Sequence, residues 1–182
     1  MRIIAGMARS RTIEAPKGRD TRPTLDRVRE NLFNILQQRT PDADCLDLFA
    51  GSGALSMEAL SRGARSAVLC DMDRQAHLIE KKNAQNLGFA KQCTFFLCDW
   101  REAVRRIGPG RFDLIFLDPP YRMQDLSDVT EACAGLLRED GRIVLEFQWG
   151  AEIRVSPRIE RLDTRKYGIV GIALYGLCAD SA

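Results

Sequence analysis

The chain has 182 residues, of which 45% are hydrophobic and 29% are charged. This is the balance of one soluble globular domain, and it excludes a disordered or fibrous protein. No segment reaches the roughly 18 uncharged apolar residues of a membrane helix, and the first residues lack the apolar core of a signal peptide. We therefore expect a cytoplasmic protein that does not enter a membrane.

Positive charge is concentrated at the amino terminus, although the net charge of the whole chain is only +2. Arginine forks onto phosphate groups, so an arginine-rich terminal segment predicts contact with a nucleic acid. Arg27 and Arg29 fall in a predicted helix and are equally compatible with structural roles. The remaining candidates for phosphate contact in this segment are Arg9, Arg11, Lys17, Arg19 and Arg22.

Residues 1–22 predict a short hairpin-like or irregular arm. Ile3-Ile4 and Thr12-Ile13 are brief apolar stretches, and Gly6 and a turn-like Arg-Ser-Arg segment separate them. Apolar residues then recur at helical spacing from Thr24 to about Gln38, which predicts an amphipathic helix. We take residues 1–40 as a basic arm and helix, and residues 41–182 as one compact domain.

Apolar runs alternate with helical segments through most of that domain. This alternation predicts βαβ units and a parallel sheet with helices on both faces. The tail departs from it, because two strand-like runs meet at Tyr167-Gly168 with no helix between them, as in an antiparallel hairpin. The fold class is therefore α/β and Rossmann-like, with a mostly parallel seven-stranded sheet. The predicted strands are 44–49, 66–71, 93–98, 112–118, 142–147, 159–166 and 169–178, and the predicted helices are 54–62, 74–87, 100–107 and 125–138.

The cysteines and the histidine predict no metal chemistry. The six cysteines are scattered without a C-x-x-C pair, so we expect reduced and partly buried thiols. His77 is the one histidine of the chain and has no second histidine to share a metal ion with. A zinc enzyme or a histidine-activated nucleophile is excluded on these grounds.

The loop from Asp47 to Gly53 runs from a predicted strand into a predicted helix. Ligands of open α/β sheets bind at the carboxyl ends of the strands, and Gly51 and Gly53 permit a tight turn and close approach of the backbone. The third glycine of G-x-G-x-x-G is missing, and Asp47 would repel a pyrophosphate. An acid at this position suits a cationic group, such as an ammonium or a sulfonium.

Acids also follow the next two strands. Asp71 lies where a carboxylate commonly accepts hydrogen bonds from ribose hydroxyls, whereas Asp73 precedes a helix and is expected to cap it. Asp99 is compatible with two roles, acceptance from an adenine amine or a cap on the following helix. Trp100 either covers a bound ring or belongs to the core.

Asp118, Pro119, Pro120 and Tyr121 follow a buried strand. The two prolines remove backbone donors, so the carbonyls of Asp118 and Pro119 can accept hydrogen bonds from a substrate amine. Tyr121 offers a ring face to a planar group. A merely rigid turn is the alternative, and the glycine loop at this spacing argues against it.

Taken together, these residues resemble class I S-adenosylmethionine-dependent methyltransferases of the D/N-P-P-Y/F subgroup, which modify exocyclic amines. The segments Arg-Pro-Thr-Leu-Asp-Arg-Val-Arg-Glu from Arg22, Asp47 to Leu55, and Phe116 to Tyr121 are similar to the RsmD family. That family methylates guanine N2 in bacterial small-subunit (16S) ribosomal RNA. The similarity extends from Arg2 to the Tyr167-Gly168 hairpin.

The resemblance implies roles for particular residues. Asp118, Pro119, Pro120 and Tyr121 would hold the target base and carry catalysis. Asp71 would hold the ribose of S-adenosylmethionine, although glutamate is frequent at this position of the family, and Trp100 has no family role. Met72 would pack on the adenine, Asp99 would accept its amine, and the remaining cofactor contacts would come from Asp47, Phe49, Gly51, Ser52 and Gly53.

A guanine amine is a poor nucleophile, so orientation must supply much of the catalysis. Asp118 and the Pro119 carbonyl would accept its N–H bonds, and Tyr121 would stack on a base that has left its helix. The substrate would be 16S rRNA, alone or within a small subunit, and no metal is needed. Methylation of adenine N6 in DNA or of a protein glutamine, and a non-catalytic RNA-binding assembly factor, remain alternatives. A nicotinamide-dependent oxidoreductase is disfavoured because the G-x-G-x-x-G loop is absent.

Overall fold

A computed structural model describes residues 1–15 and 23–179 of the chain. Five α-helices, one short 3-10 helix at Ala90–Gln92 and seven strands make up the described chain, and α-helices alternate with strands up to β5 as the sequence predicts. The helices are α1 Pro23–Ile35, α2 Ala54–Ser61, α3 Arg74–Leu87, α4 Trp100–Arg106 and α5 Ser127–Leu136. The strands are β1 Asp44–Asp47, β2 Ser66–Asp71, β3 Cys93–Leu97, β4 Phe112–Leu117, β5 Leu137–Gln148, β6 Ile159–Tyr167 and β7 Val170–Leu177.

The strands form one sheet in the order β3-β2-β1-β4-β5-β7-β6. β1 to β5 pair in parallel, whereas β7 is antiparallel to both β5 and β6. The predicted α/β class, the seven strands and the terminal antiparallel hairpin are all confirmed. The order reverses direction between β1 and β4, and ligands of such sheets bind beside this switch point.

Alternate residues of the central strands enter two hydrophobic clusters, one on each face of the sheet. Cys45 and Phe116 belong to the cluster formed with α1, α2 and α3, while Leu46 and Leu117 belong to the cluster formed with α4 and α5. This is the period-two alternation of a sheet that is covered on both faces. Among the residues that the structure describes, no helix is long and apolar enough to cross a membrane.

The described part of the amino-terminal arm is a small hairpin tied to α2. Arg2 and Thr12 form an antiparallel bridge, as the sequence predicts, and Ile3 and Ile13 are buried in the cluster of α1 to α3. The buried carboxylate of Glu58 accepts the backbone N–H groups of Ile4 at 2.8 Å and Ala5 at 3.0 Å. The arm therefore shares a core with the sheet, and a division of the chain at residue 40 stays a prediction.

Two predicted boundaries are wrong by several residues. α1 ends at Ile35 rather than near Gln38, and β5 begins at Leu137 rather than at residue 142. Leu137 pairs with Phe112 before a register shift leads into the regular pairing that starts at Arg142. The polar residues 138–140 in this bulged segment have the composition of a loop, so the sequence pattern places the strand too late.

Candidate active site

Strand pairing brings the loops after β1, β2, β3 and β4 to one edge of the sheet. Asp47, the last residue of β1, pairs with Leu69 of β2 on one side and with Phe116 of β4 on the other. Asp71, the last residue of β2, pairs with Leu97 at the end of β3. The four loops identified in the sequence thus converge at the carboxyl ends of neighbouring strands.

The glycine loop requires glycine for two separate reasons. Gly51 and Gly53 have φ angles of +56° and +75°, in the left-handed region that other residues rarely adopt. A Cβ on Gly53 would also lie 3.0 Å from Cδ2 of Leu69. The Gly51 N–H donates to Asp71 at 2.8 Å, and the Ser52 carbonyl accepts from the Asn83 amide at 2.9 Å. The loop is therefore fixed from both sides.

Asp47 is a buried acid, and no basic side chain of the described residues is among the groups that shift its pKa. Its side chain is 1% exposed, and one oxygen accepts from the Ser56 hydroxyl at 3.2 Å. The other oxygen, Oδ1, makes no hydrogen bond of normal geometry to the described residues, although the backbone N–H of Phe49 acts on this carboxylate and lowers its pKa. Burial raises the pKa of Asp47 to about 7, and the negative charges of Asp118 and Asp71 act in the same direction. A cation beside Oδ1 would offset the free-energy cost of burying the ionised carboxylate. The site therefore fits a ligand that carries an ammonium or sulfonium group.

Asp71 and Asp73 organise the loop after β2. The two carboxylate oxygens of Asp71 accept the backbone N–H groups of Gly51 and Asp73, both at 2.8 Å. Asp71 is only half-buried, and a carboxylate has further lone pairs that suit hydroxyl donors. Asp73 caps α3 by accepting from Gln75 at 2.8 Å, as the sequence predicts. Met72, between them, is 75% exposed and offers an apolar side chain to a ligand.

Asp99 and Trp100 lie at the start of α4. The Asp99 carboxylate accepts the Arg101 backbone N–H at 2.9 Å, so it caps the helix, which is one of its two expected roles. Its side chain remains exposed at the edge of the site, which leaves the predicted adenine contact sterically open. Trp100 is buried in the cluster of α4 and α5, and this confirms the core alternative for that residue.

The loop after β4 combines a half-buried acid with an accessible aromatic ring. Asp118 is half-buried and Pro119 is buried, while the Pro120 carbonyl accepts from the Met123 N–H at 2.8 Å and closes a turn. Tyr121 is 40% exposed, and its hydroxyl is hydrogen-bonded to Glu146. Partial burial and the charges of Glu146 and Asp118 raise the pKa of Tyr121 to about 12, so the phenol stays neutral.

Glu146 was not identified from the sequence. Its place follows from strand pairing, because Leu117 is in register with Leu145 and the next residue of β5 therefore lies beside Asp118. An acid near the end of a strand that neighbours the Pro-Pro loop was the available signal. The parallel pairing of β4 with β5 had to be known before that signal could be used.

Glu80 and His77 form a second unpredicted feature, directly behind the glycine loop. Glu80 is fully buried, and burial together with the charges of Asp47 and Asp71 raises its pKa to about 9. Burial also lowers the pKa of His77, whose Nδ1 lies 2.9 Å from Oε1 of Glu80. The pair is therefore a neutral hydrogen bond at pH 7 and not an ion pair.

The structure places the basic residues of the first segment in different environments. Arg9 is exposed, whereas the Arg11 guanidinium donates to the carbonyls of Leu87 at 3.3 Å and Asn86, at the carboxyl end of α3. Arg29 is buried against Glu58 and has a structural role, while Arg27 is exposed. The other three predicted phosphate contacts, Lys17, Arg19 and Arg22, lie outside the described residues.

In the part of the chain that the structure describes, no group of three or more histidine, cysteine or acidic side chains is placed to hold a metal ion. The six cysteines are free thiols, as the sequence predicts.

Comparison with known proteins identifies the family. The model of the family described as "Conserved hypothetical protein 95" matches residues 1–176. Ribosomal RNA small subunit methyltransferase D of Escherichia coli is 39% identical over 142 residues, covering 78% of this chain and 68% of the relative. The Haemophilus influenzae protein of the same name is 35% identical over 185 residues, covering 96% and 93%.

A solved structure, that of the Escherichia coli protein yhhF, superposes with a TM-score of 0.86 at 32% identity, covering 98% of both chains. The family match spans nearly the whole chain. The chain belongs to the RsmD family of S-adenosylmethionine-dependent RNA methyltransferases.

Proposed function

We propose that this protein transfers a methyl group from S-adenosylmethionine to the exocyclic N2 amine of a guanine in 16S rRNA. The observation that carries the proposal is the juxtaposition of two loops. Asp47, a buried acid with an oxygen that makes no hydrogen bond of normal geometry to the described residues, pairs with Phe116, two residues before the Asp118-Pro119-Pro120-Tyr121 loop. A site for a cationic cofactor thus adjoins a site for a planar amine.

S-adenosylmethionine would be bound by residues whose positions are already fixed by the surrounding structure. Asp47 would face the cationic methionine portion, with Phe49, Gly51, Ser52 and Gly53 forming the surrounding loop. Asp71 would accept from the ribose hydroxyls, with Met72 and Asp99 beside the adenine. When bound, S-adenosylmethionine supplies an electrophilic methyl group, and breaking of its S–CH3 bond leaves S-adenosylhomocysteine as the product. The buried loop excludes water from the carboxylate of Asp47, which strengthens its attraction for a cation.

The target half would orient the amine and handle its proton. Asp118 and the Pro119 carbonyl accept the two N–H bonds of the guanine amine and direct the nitrogen lone pair away from them. Asp118 then takes the proton that the nitrogen must lose. Tyr121 stacks on the base, and its link to Glu146 holds the ring in place. A guanine in a duplex cannot reach these groups, so the base must be unpaired or flipped out.

The identity of the substrate rests on the relatives. Two of them, from Escherichia coli and Haemophilus influenzae, are named small-subunit ribosomal RNA methyltransferases. We extend that substrate to this chain, as naked RNA or within a cytoplasmic small subunit or assembly intermediate. Exposed Arg9, together with Lys17, Arg19 and Arg22, would contact the RNA backbone around the target, whereas Arg11 is held by α3.

The test is transfer of radiolabelled methyl from S-adenosylmethionine to unmethylated 16S rRNA, both naked and in small-subunit particles, followed by digestion to nucleosides. We expect N2-methylguanosine. Label recovered in DNA adenine or in protein glutamine would show that DNA or protein, and not 16S rRNA, is the substrate. No transfer at all, despite binding of cofactor and RNA, would favour a non-catalytic assembly factor.

A further inference from the structure

An exposed aromatic surface lies at the end of β5 and belongs to none of the groups assigned so far. We call Phe147, Trp149, Lys166 and Ile169 the Trp149 ledge. Trp149 is 40% exposed and Ile169 is 66% exposed. The Phe147 and Trp149 rings stack with centroids 6.2 Å apart and an interplanar angle of 25°. The Lys166 ammonium lies 5.3 Å from the centre of the Trp149 ring.

The ledge is held rigidly by the sheet. The Trp149 N–H donates to the Ile169 carbonyl at 2.8 Å, which extends the pairing of β5 with β7 beyond the last strand residue. Gly171 lies under the Phe147 ring, where a Cβ would come within 2.4 Å of it. Phe147 therefore supports Trp149 from a fixed position. A large indole held in place at a surface has little conformational entropy left to lose when a ligand stacks on it.

The ledge is continuous with the catalytic loop. Tyr121 bonds to Glu146, three residues before Trp149, and the neighbouring parallel strands β4 and β5 end at the same edge of the sheet, so both rings belong to segments that leave this edge. The loop that leaves Tyr121 is also joined to the segment after Trp149, because Asp125 and Arg154 form a parallel bridge. A nucleotide chain that passes the target pocket along this edge meets Trp149 next.

We propose that the Trp149 ledge binds an unpaired nucleotide that flanks the target guanine, with its base stacked on Trp149 and its phosphate near Lys166. The proposal rests on the function proposed above for its substrate class. An accessible aromatic ring beside a cation is the arrangement by which proteins hold single-stranded nucleic acid. Lys166 has a flexible stem, so its ammonium can leave the ring for a phosphate when a base arrives.

RNA is favoured over a protein partner because the ledge is narrow and includes a cation. Three apolar side chains at a strand end form one stacking platform, whereas a specific protein interface needs about 800 Å² from each partner. Exposed Arg122, which directly follows Tyr121, adds a second positive charge beside the catalytic loop. Both charges suit a phosphodiester chain.

The chain itself provides the probe for a test. It contains two tryptophans, and Trp100 is buried while Trp149 is exposed. Titration of the full-length protein with a single-stranded 16S rRNA oligonucleotide that contains the target guanine should therefore quench the Trp149 emission. Trp149→Ala should abolish the quench and raise the Kd for this RNA at least about fivefold, the lower end for loss of a stacked base. Trp149→Phe should restore most of the affinity.

Leu162→Ala is the matched control, since Leu162 is an exposed apolar residue of the same hairpin at 47% exposure and is not part of the ledge. It should leave the quench and the Kd unchanged. Lys166→Gln should reduce the slope of log Kd against log salt by about one, as expected for one phosphate contact. Cofactor affinity, measured by calorimetry, should be the same for all four variants and the wild type.

The outcomes separate this inference from the proposed function. Quenching by RNA together with a raised Kd for RNA in Trp149→Ala would support the ledge even if no methyl transfer to guanine were found. Methyl transfer with a Trp149→Ala protein whose RNA affinity equals that of the wild type would overturn the ledge and leave the function standing. If Trp149→Ala raised the Kd for small-subunit particles but not for naked RNA, the ledge would bind a ribosomal protein, and the proposal of a nucleotide site would be overturned.

Discussion

The two halves of the site are built in opposite ways. In the cofactor half, the loop after β1 is buried, and hydrogen bonds from Asp71 and Asn83 fix it from neighbouring elements. In the target half, Tyr121 and Trp149 are each 40% exposed, on segments that follow β4 and β5. A small ligand of constant shape suits a preformed buried loop, whereas a nucleotide that leaves a large RNA needs an accessible rim.

This comparison predicts that the halves can be inactivated separately. Asp118→Ala removes the proposed acceptor of the amine proton, and we expect kcat to fall by about 10³-fold, within the range for general acid–base catalysis. The Kd values for S-adenosylmethionine and RNA should change less than about twofold. Single-turnover methyl transfer and calorimetry measure these quantities. A Kd for cofactor that rises with the loss of kcat would show that the halves are not independent.

The cofactor half should respond to pH through Asp47. Its folded pKa of about 7 exceeds the ordinary value of 3.8, so the native state binds the extra proton between these values. The free energy of unfolding of the cofactor-free protein should therefore fall as pH rises from about 4 to about 7, by up to about 4 kcal/mol. Asp47→Asn should remove this contribution, as measured by urea unfolding at several pH values.

The same carboxylate should make cofactor affinity increase with pH through about 7, because only ionised Asp47 attracts a cation. Asp47→Asn should bind S-adenosylmethionine weakly at every pH tested. Glu80, whose pKa is raised from 4.5 to about 9, contributes its own loss of stability between these pH values, which overlaps that of Asp47, so Glu80→Gln is the control. That variant should retain the affinity change around pH 7. An unchanged affinity profile in Asp47→Asn would remove Asp47 from the cofactor site.

Crowding of the glycine loop gives a smaller expected effect. Gly53→Ala places a Cβ 3.0 Å from Leu69 at a φ of +75°, whereas Gly88→Ala has a φ of +85° and no atom within 4 Å. Both variants carry the cost of a positive φ, about 1 kcal/mol. Gly53→Ala should lose about 1 kcal/mol more from contact, and should also bind cofactor less tightly. Thermal unfolding with and without S-adenosylmethionine measures both effects, and equal destabilisation would show that Leu69 can move aside.

The sequence was informative where function depends on backbone shape. Gly51, Gly53 and the two prolines restrict the chain locally, so their loops were correctly placed before any tertiary contact was known. Glu146 and Glu80 could not be found in this way, because each acts through a neighbour that is distant along the chain. The start of β5 was missed for a related reason, since its polar residues 138–140 form a bulged segment between two pairings with β4, that of Leu137 with Phe112 and that of Arg142 with Leu114.

Arg9 and Arg11 give the prediction with the smallest expected effect. The sequence predicts phosphate contact for both arginines, yet Arg11 donates to the last carbonyls of α3 and Arg9 is exposed. A cation at a helix carboxyl end is worth about 0.3–1 kcal/mol, so Arg11→Ala should lower the free energy of unfolding by about that amount. Arg9→Ala should leave stability unchanged and reduce the salt dependence of RNA binding by about one phosphate contact. If Arg11→Ala instead weakened RNA binding as Arg9→Ala does, its guanidinium would have to leave α3 in the complex, and the arm would then be a part of the target half that reorganises on binding.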